Sequence, residues 1–294
     1  MNILITGANG QLGTEMRLLS LSHPQHQYFF ADVMAVDNTP TYSLDITDEA
    51  AVAALVNEQH IDCIVNCAAY TNVDRAEDDE PTALRINADG VACLAKAAAQ
   101  YGARIVHIST DYVFSGDEHQ PCRETDPVAP RTAYGRTKLQ GEQVLQTICP
   151  DAIIIRTAWL YSPFGNNFVK TMLRLSQDHS TLRVVFDQIG TPTYAADLAT
   201  AIFAAIESEQ WLAGIYHFTN EGVCSWFDFT HEIMRQAGKQ VAVQPILSSE
   251  YAYRTPRPHY SVLDKAKIKA TFGIEIPHWT ESLQKCLQRL NEME

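Results

Sequence analysis

The sequence predicts an α/β fold: a doubly wound parallel sheet with a smaller C-terminal α/β substrate-binding region. Three observations carry this. The first 160 residues alternate short β-rich runs with helical stretches, the pattern that lays parallel strands side by side with crossover helices between them. Apolar runs such as Ile64-Val65 and Ile153-Ile154-Ile155 lack polar alternation, as strands covered on both faces do. A glycine-rich turn, Gly7-Ala8-Asn9-Gly10-Gln11-Leu12-Gly13, follows the first strand and opens a helix, which makes the sheet Rossmann-like.

Taken in order, Asn2–Thr6, Tyr28–Asp32, Cys63–Ala68, Arg104–Thr110 and Ala152–Thr157 are the predicted strands. Gln11–Leu21, Asp48–Gln59, Glu80–Tyr101 and Ala133–Thr147 are the helices between them. The pattern loosens after Arg156. Asn167–Gln177 and Ala195–Ser208 read as helices, Leu182–Phe186 and Gly214–Phe218 as strands. Ser225 caps a helix over Trp226–Gln236, Tyr253 to Pro258 is a loop, and Thr280 starts a last helix. Residues 1–160 form the dinucleotide-binding unit, with 183–213 returning to it; 161–182 and 214–294 form the substrate-binding region.

Composition narrows the function classes. The chain has 294 residues, 46% of them hydrophobic and 19% charged, enough for a substantial core. Its apolar runs stop well short of a membrane span, and Met1–Gly7 runs directly into a strand without a basic flank. A cytoplasmic protein with no membrane contact is expected. The net charge of −13 argues against nucleic acid as a partner, which needs a basic face. Seven scattered cysteines form no C-x-x-C. Cys63 and Cys67 lie about 13 Å apart along one strand, too far for a disulfide, so buried thiols are expected. The ten histidines show no metal-ligand spacing.

The glycine turn suits a dinucleotide: Gly7, Gly10 and Gly13 allow a tight turn and close approach of backbone to a pyrophosphate at the helix N-terminus. Asp32 ends the second strand nineteen residues after Gly13, where a carboxylate can accept from a ribose hydroxyl. Its charge disfavours a 2′-phosphate, and no Arg or Lys flanks it. Asp45 and Ile46 border the adenine end, or Asp45 is an N-cap. Ala68 and Ala69 end the third strand, where small side chains let a ligand lie close.

Tyr134 and Lys138 stand four residues apart, and no other tyrosine has a lysine at that spacing. On a helix the spacing stacks phenol and ammonium on one face. A nearby cation favours the phenolate and is expected to draw the phenol's pKa down, giving a tunable proton donor for carbonyl reduction. Thr110 and Asp111 close the preceding strand, at the carboxyl edge where ligands of parallel sheets bind. A hydroxyl there can polarise a carbonyl. His107 reads as a packed histidine, Trp226, Phe227 and Phe229 as core, and Lys170, Arg174 and Arg257 either as ordinary surface charges or as cations for a pyrophosphate-bearing ligand.

Gly7–Gly13, Asn66–Asp74, Ser109–Phe114, Tyr134–Lys138, Arg156–Trp159, Gly165–Met172, Asp187–Thr193 and Arg257-Pro258 together resemble the extended, nucleotide-sugar branch of the short-chain dehydrogenase/reductase superfamily. Within it they resemble the dTDP-4-dehydrorhamnose reductase family. The resemblance implies Tyr134 as proton donor, Lys138 as its partner and ribose ligand, and Thr110 as the polarising hydroxyl. Thr110, Asp111 and Trp159 match sugar-binding positions, and Asn167 and Arg257 join them as substrate-binding candidates. Gly10, Gln11, Leu12, Asp32, Asp45, Ile46, Ala68, Ala69 and Tyr70 match positions that hold the cofactor. The implied reaction is NADPH-dependent reduction of dTDP-4-dehydro-β-L-rhamnose (dTDP-4-dehydro-6-deoxy-L-mannose) to dTDP-β-L-rhamnose, with NADH also accepted, serving O-antigen and related polysaccharide synthesis. An epimerase or dehydratase of the same branch is the alternative, or a non-catalytic regulatory subunit, against which Tyr134 and Lys138 speak. Some members use magnesium at a dimer contact between carboxylates. Glu15 stands at a matching place, but Ala196 occupies an expected acidic position with Asp197 one residue along. Magnesium is thus left open but without support from the sequence, no metal ligands are assigned, Glu15 reads as a solvated carboxylate, and a homodimer stays open.

Overall fold

Apolar strands with helices between them assemble here as a seven-stranded parallel sheet. The strands are β1 (Asn2–Thr6), β2 (Gln27–Asp32), β3 (Tyr42–Ser43), β4 (Cys63–Asn66), β5 (Arg104–Thr110), β6 (Ile153–Thr157) and β7 (Gly214–His217), in the order β7-β6-β5-β4-β1-β2-β3. The computed structural model describes all residues except Ala35, Asp37, Asn38, Tyr253 and Glu294, so the first residue of the expected loop before Pro258 lies outside the described residues. Strand order reverses at β1 and β4, where Thr6 pairs with Asn66. A crevice opens at that switch point, beyond the strands' carboxyl ends.

Period-2 alternation sends successive strand side chains to opposite faces, and both faces are covered. Leu4, Ile64, Ile105 and Ile154 pack beneath α2 (Glu49–Glu58), α3 (Gly90–Tyr101) and Leu145 of α4 (Ala133–Ile148). Ile3, Ile5, Val65, Val106 and Ile155 pack beneath α1 (Gln11–Ser20), α6 (Ala195–Ile206) and Ile268. A third cluster holds the remaining elements together: Val169 of α5 (Phe168–Asp178), Phe229 and Ile233 of α7 (Trp226–Gln236), and Leu283 and Cys286 of α8 (Trp279–Met293). Ser225 caps α7 in a reciprocal capping box with Asp228, as its sequence position predicts. All seven cysteines are free, and all but Cys67 are buried.

Two expectations are corrected. The helix predicted over Glu80–Tyr101 is broken: Glu80–Leu84 runs into a π turn at Arg85–Asp89 before α3. The wider turn carries Asn87 inward, where its amide accepts from Tyr70 N (2.9 Å) and donates to Tyr70 O and the Thr137 hydroxyl (both 3.1 Å). These bonds compensate the disrupted ladder. The strand Gly214–His217, expected in the substrate-binding region, is also placed differently, while α6 within 183–213 covers one face of the main sheet. Thr181–Val185 pairs in parallel with Ala242–Ile246 outside that sheet, whereas Gly214–His217 joins it as β7 beside β6.

Candidate active site

The glycine turn is shaped by what presses on it. Gly7 has φ +63°, and a Cβ there would come within 2.6 Å of Ala68 N; a Cβ on Gly13 would meet Gly7 O at 2.2 Å. The chain thus folds tightly from β1 into α1 against the end of β4. Gly10 is the N-cap and offers no side-chain cap, so the first-turn N–H groups are left to other partners. This is the cradle that a dinucleotide's pyrophosphate requires, and the residues fit it.

A cleft of about 960 Å³ runs over this turn and along the carboxyl edge of the sheet. Gly7, Gly10, Gln11, Leu12, Gly13, Asp32, Asp45, Ile46, Ala68 and Ala69 line one stretch of it; Thr110, Asp111, Tyr134, Lys138 and Trp159 line the other. The two ends of the sequence-based site therefore share one cavity. Tyr70 is the exception: its ring packs against Ala76, Ala83 and Ala133, and Asn87 holds its backbone. Asp45 accepts from the Thr47 N–H and hydroxyl at 2.9 and 2.8 Å, which holds its carboxyl below the ordinary value. Asp48, not Asp45, caps α2.

A second compartment of about 890 Å³ adjoins the first, and Thr71, Val73, Tyr112, Trp159 and Asn166 belong to both walls. Asn167 and Arg257 line it. Asn167 also caps α5 and donates to Gln11 Oε1 at 3.0 Å, tying this compartment to the glycine turn. Arg257 pairs with Asp74 at 2.8 Å. Of the other candidate cations, Lys170 donates to Pro163 O at 3.1 Å. Trp226 corrects a sequence reading. Phe229 is core, but Trp226 lines the second compartment and stacks on Trp159 with centroids 3.5 Å apart and planes 11° apart. Trp159 adopts φ +49° to present that ring, a conformation a bulky residue holds only where packing enforces it.

The reacting groups sit deep. Thr110, Asp111 and Lys138 are each at most 4% exposed. Thr132 caps α4 at the Gly135 N–H, which fixes the helix start and hence Tyr134. The Tyr134 ring meets Tyr112 edge-on at 5.5 Å. Burial pushes its phenol up to about 12, and the nearby Thr110 hydroxyl, which donates to Asp111 Oδ1 at 3.0 Å, pulls the other way. The expectation that Lys138 draws this phenol down is thus corrected. Lys138 Nζ is directed toward β5 instead, donating to Ile108 O at 2.6 Å and lying 3.3 Å from His107 Nε2. Burial draws that ammonium down to about 8 and lifts the Asp111 carboxyl to about 6.

Three groups escaped the sequence reading. His107 touches Lys138. Arg17, fifteen positions before Asp32, comes near it through α1: it lies over Phe30 at 3.9 Å and donates to Thr41 Oγ1 at 3.0 Å. Glu15 is not solvated but 3% exposed, and both its oxygens meet Arg289 Nη1, at 3.0 and 2.9 Å. Only helical spacing from Gly13 could have signalled Arg17; nothing local signals Arg289.

Sheet order, glycine turn and the Tyr134–Lys138 pair at the switch point define a dinucleotide-binding protein of the short-chain dehydrogenase/reductase class. Within that class, the chain belongs to the family described as the RmlD substrate binding domain, whose model matches residues 1–292. A crystal structure of a dTDP-4-dehydrorhamnose reductase from Clostridium acetobutylicum is 44% identical, with a TM-score of 0.92 over 99% of this chain and 100% of that one. The dTDP-4-dehydrorhamnose reductase from Bacillus anthracis, solved in complex with NADP, is 38% identical, with a TM-score of 0.90 over 98% and 99%. The spore coat polysaccharide biosynthesis protein SpsK of Bacillus subtilis is 42% identical over 97% of this chain and 96% of its own.

Proposed function

We propose that the chain reduces dTDP-4-dehydro-β-L-rhamnose to dTDP-β-L-rhamnose with NADPH, the last step in making that sugar donor. The observation that carries this reading is the single cleft in which the glycine turn and the Thr110–Tyr134 pair line opposite stretches. NADPH, held by the turn and by Asp32, Asp45, Ile46, Ala68 and Ala69, supplies a hydride when bound. Thr110 and Tyr134 line the same stretch of the cleft, so one carbonyl oxygen placed between them can accept from both once the Thr110 hydroxyl turns from Asp111 Oδ1, to which it donates at 3.0 Å. Tyr134 gives its phenolic proton to that oxygen as the sugar C4 becomes a secondary alcohol. Lys138, as an ammonium, holds the nicotinamide ribose. Trp159 and Trp226 give the sugar nucleotide an apolar wall, and Arg257 gives it a cation. NADH is proposed as a second donor, and a homodimer as the assembly. Among the described residues no helix is long and apolar enough to cross a membrane.

The test is direct. NADPH absorbance is followed with dTDP-4-dehydrorhamnose as acceptor; stoichiometric oxidation is expected, and an unchanged trace would refute the reading.

A further inference from the structure

Behind the cleft, Asn66, His107 and Lys138 form a buried chain across β4, β5 and α4. Asn66 Oδ1 accepts from the Thr6 hydroxyl at 2.7 Å and from the Ala68 backbone N–H at 3.2 Å. A backbone N–H can only donate, so it fixes which end of the amide is oxygen. Asn66 Nδ2 then faces His107 Nδ1 at 3.0 Å. An amide nitrogen also only donates, so Nδ1 is the bare, accepting nitrogen. A neutral imidazole with a bare Nδ1 carries its proton on Nε2.

His107 is fully buried, and burial together with the nearby Lys138 keeps it neutral. Its Nε2 lies 3.3 Å from Lys138 Nζ. A donor therefore points at a nitrogen that, as an ammonium, would want an acceptor. Nζ meets the Ile108 carbonyl on its other side. The remaining groups facing the lysine are Cys67 at the end of β4, Tyr134 one turn back on α4, and Glu142 one turn on. Glu142 favours the charge, but it is itself paired with Arg156 and accepts from Ser109.

We propose that His107 is a positioning residue that acts through Lys138: locked by Asn66 with its proton on Nε2, it donates to the uncharged amine and so sets the pH at which Lys138 gives up its charge. This deepens the reductase reading and rests on it, because a charged Lys138 is what reduction uses. The enzyme then carries an alkaline limit built from a neutral histidine that never touches substrate.

Two measurements decide it. In protein labelled with ¹⁵N-histidine, the imidazole shifts of His107 report which nitrogen holds the proton. Nε2 is expected, and a proton on Nδ1 overturns the proposal. In His107→Leu the donor is gone, so the alkaline limb of kcat moves to higher pH by about one unit, a tenfold change in proton concentration. A limb that stays or moves to lower pH overturns the proposal. Should that variant not fold, Asn66→Asp preserves the shape and replaces the donor with an acceptor. It is expected to move the His107 proton to Nδ1, and a proton remaining on Nε2 overturns the tautomer lock. The reductase reading fails separately, if the unaltered chain does not oxidise NADPH with the ketosugar; the tautomer measurement is independent of turnover.

Discussion

Glu142 of α4 and Arg156 of β6 form a bidentate pair, with Oε1 2.9 Å from Nε and Oε2 2.7 Å from Nη2, and their side chains are 1% and 3% exposed. The Ser109 hydroxyl donates to the same carboxylate at 2.5 Å. The pair fastens the helix that carries Tyr134 and Lys138 to the sheet whose edge carries Thr110. Removing one partner strands a buried charge, which costs about 3–5 kcal/mol. Glu142→Gln is therefore expected to lower the urea midpoint severely. Replacing both residues with apolar ones of similar volume should recover most of the loss. If the single variant unfolds at the unaltered midpoint, the pair does not fasten α4.

Tyr134→Phe removes the proton donor while keeping the ring that packs on Tyr112. Turnover is expected to fall about 10²–10⁴-fold, the usual worth of a positioned general acid, with NADPH affinity unchanged. Thr110→Val should cost about 10²-fold through loss of one donor at the carbonyl oxygen. Single-turnover kinetics check both, and Tyr134→Phe turning over at the original rate would remove the phenol from the mechanism.

Asp111 is charged at neutral pH against the pull of its surroundings. Burial lifts its carboxyl to about 6 from an ordinary value near 4. A carboxyl raised on folding contributes its full stability below the unfolded value and loses it as pH rises through the folded one. Stability attributable to Asp111 thus falls between about pH 4 and 6. Asp111→Asn is expected to be more stable than the parent at pH 7.5 by on the order of 2–3 kcal/mol, with little difference at pH 4, and to bind the sugar nucleotide less well. Urea unfolding at the two pH values decides; a variant no more stable at pH 7.5 contradicts the account.

Cofactor choice is expected to turn on Arg17. Both Asp32 oxygens already accept from backbone, Oδ2 from Asn9 N at 3.0 Å and Oδ1 from Met34 N at 3.1 Å. Asp32 is the charge that acts on the Arg17 guanidinium, opposing the downward pull of burial on it. The cation offsets the carboxylate at the rim where a 2′-phosphate belongs, which the sequence spacing around Asp32 did not show. Arg17→Ala is expected to weaken binding of 2′,5′-ADP and to raise KM for NADPH about tenfold, one charge-assisted contact. KM for NADH should barely move. Equal changes for both cofactors would count against Arg17 as the discriminator.

What the sequence makes legible is what local spacing encodes. Gly7 to Gly13 is readable because one short segment contains both the turn and the helix it opens. The Tyr134–Lys138 spacing is readable because a helix converts it into a shared face. Contacts closed by distant segments are not. Arg289 meets Glu15 across 274 positions, so no window contains both. His107 looks like core because it is core; its second property, contact with Lys138, exists only once β5 lies under α4. The π turn at Arg85–Asp89 follows from Asn87 reaching Tyr70 and Thr137, partners supplied by other elements. Trp226 shares a helix with Phe229, and periodicity alone assigned both to the interior, although only Phe229 is enclosed.

Glu15 and Asp197 bear on metal dependence. The Arg289 guanidinium lies against both Glu15 oxygens and within 2.5 Å of the Tyr194 hydroxyl. Asp197 Oδ2 accepts from Asn220 Nδ2 at 2.6 Å and from the Ser282 hydroxyl at 2.5 Å. Each carboxylate thus has its positive or donating partner from within the chain, and the guanidinium occupies the place a cation would take beside Glu15. Among the described residues, no group of three or more His, Cys, Asp or Glu is placed to hold a metal ion. Turnover is therefore expected to be the same with EDTA as with added magnesium. Arg289→Ala, which leaves the buried Glu15 carboxylate with the Ser162 hydroxyl as its hydrogen-bond partner, should lower stability by about 2 kcal/mol. A loss of activity on EDTA treatment that magnesium restores would show that the Arg289–Glu15 pair does not stand in for a metal.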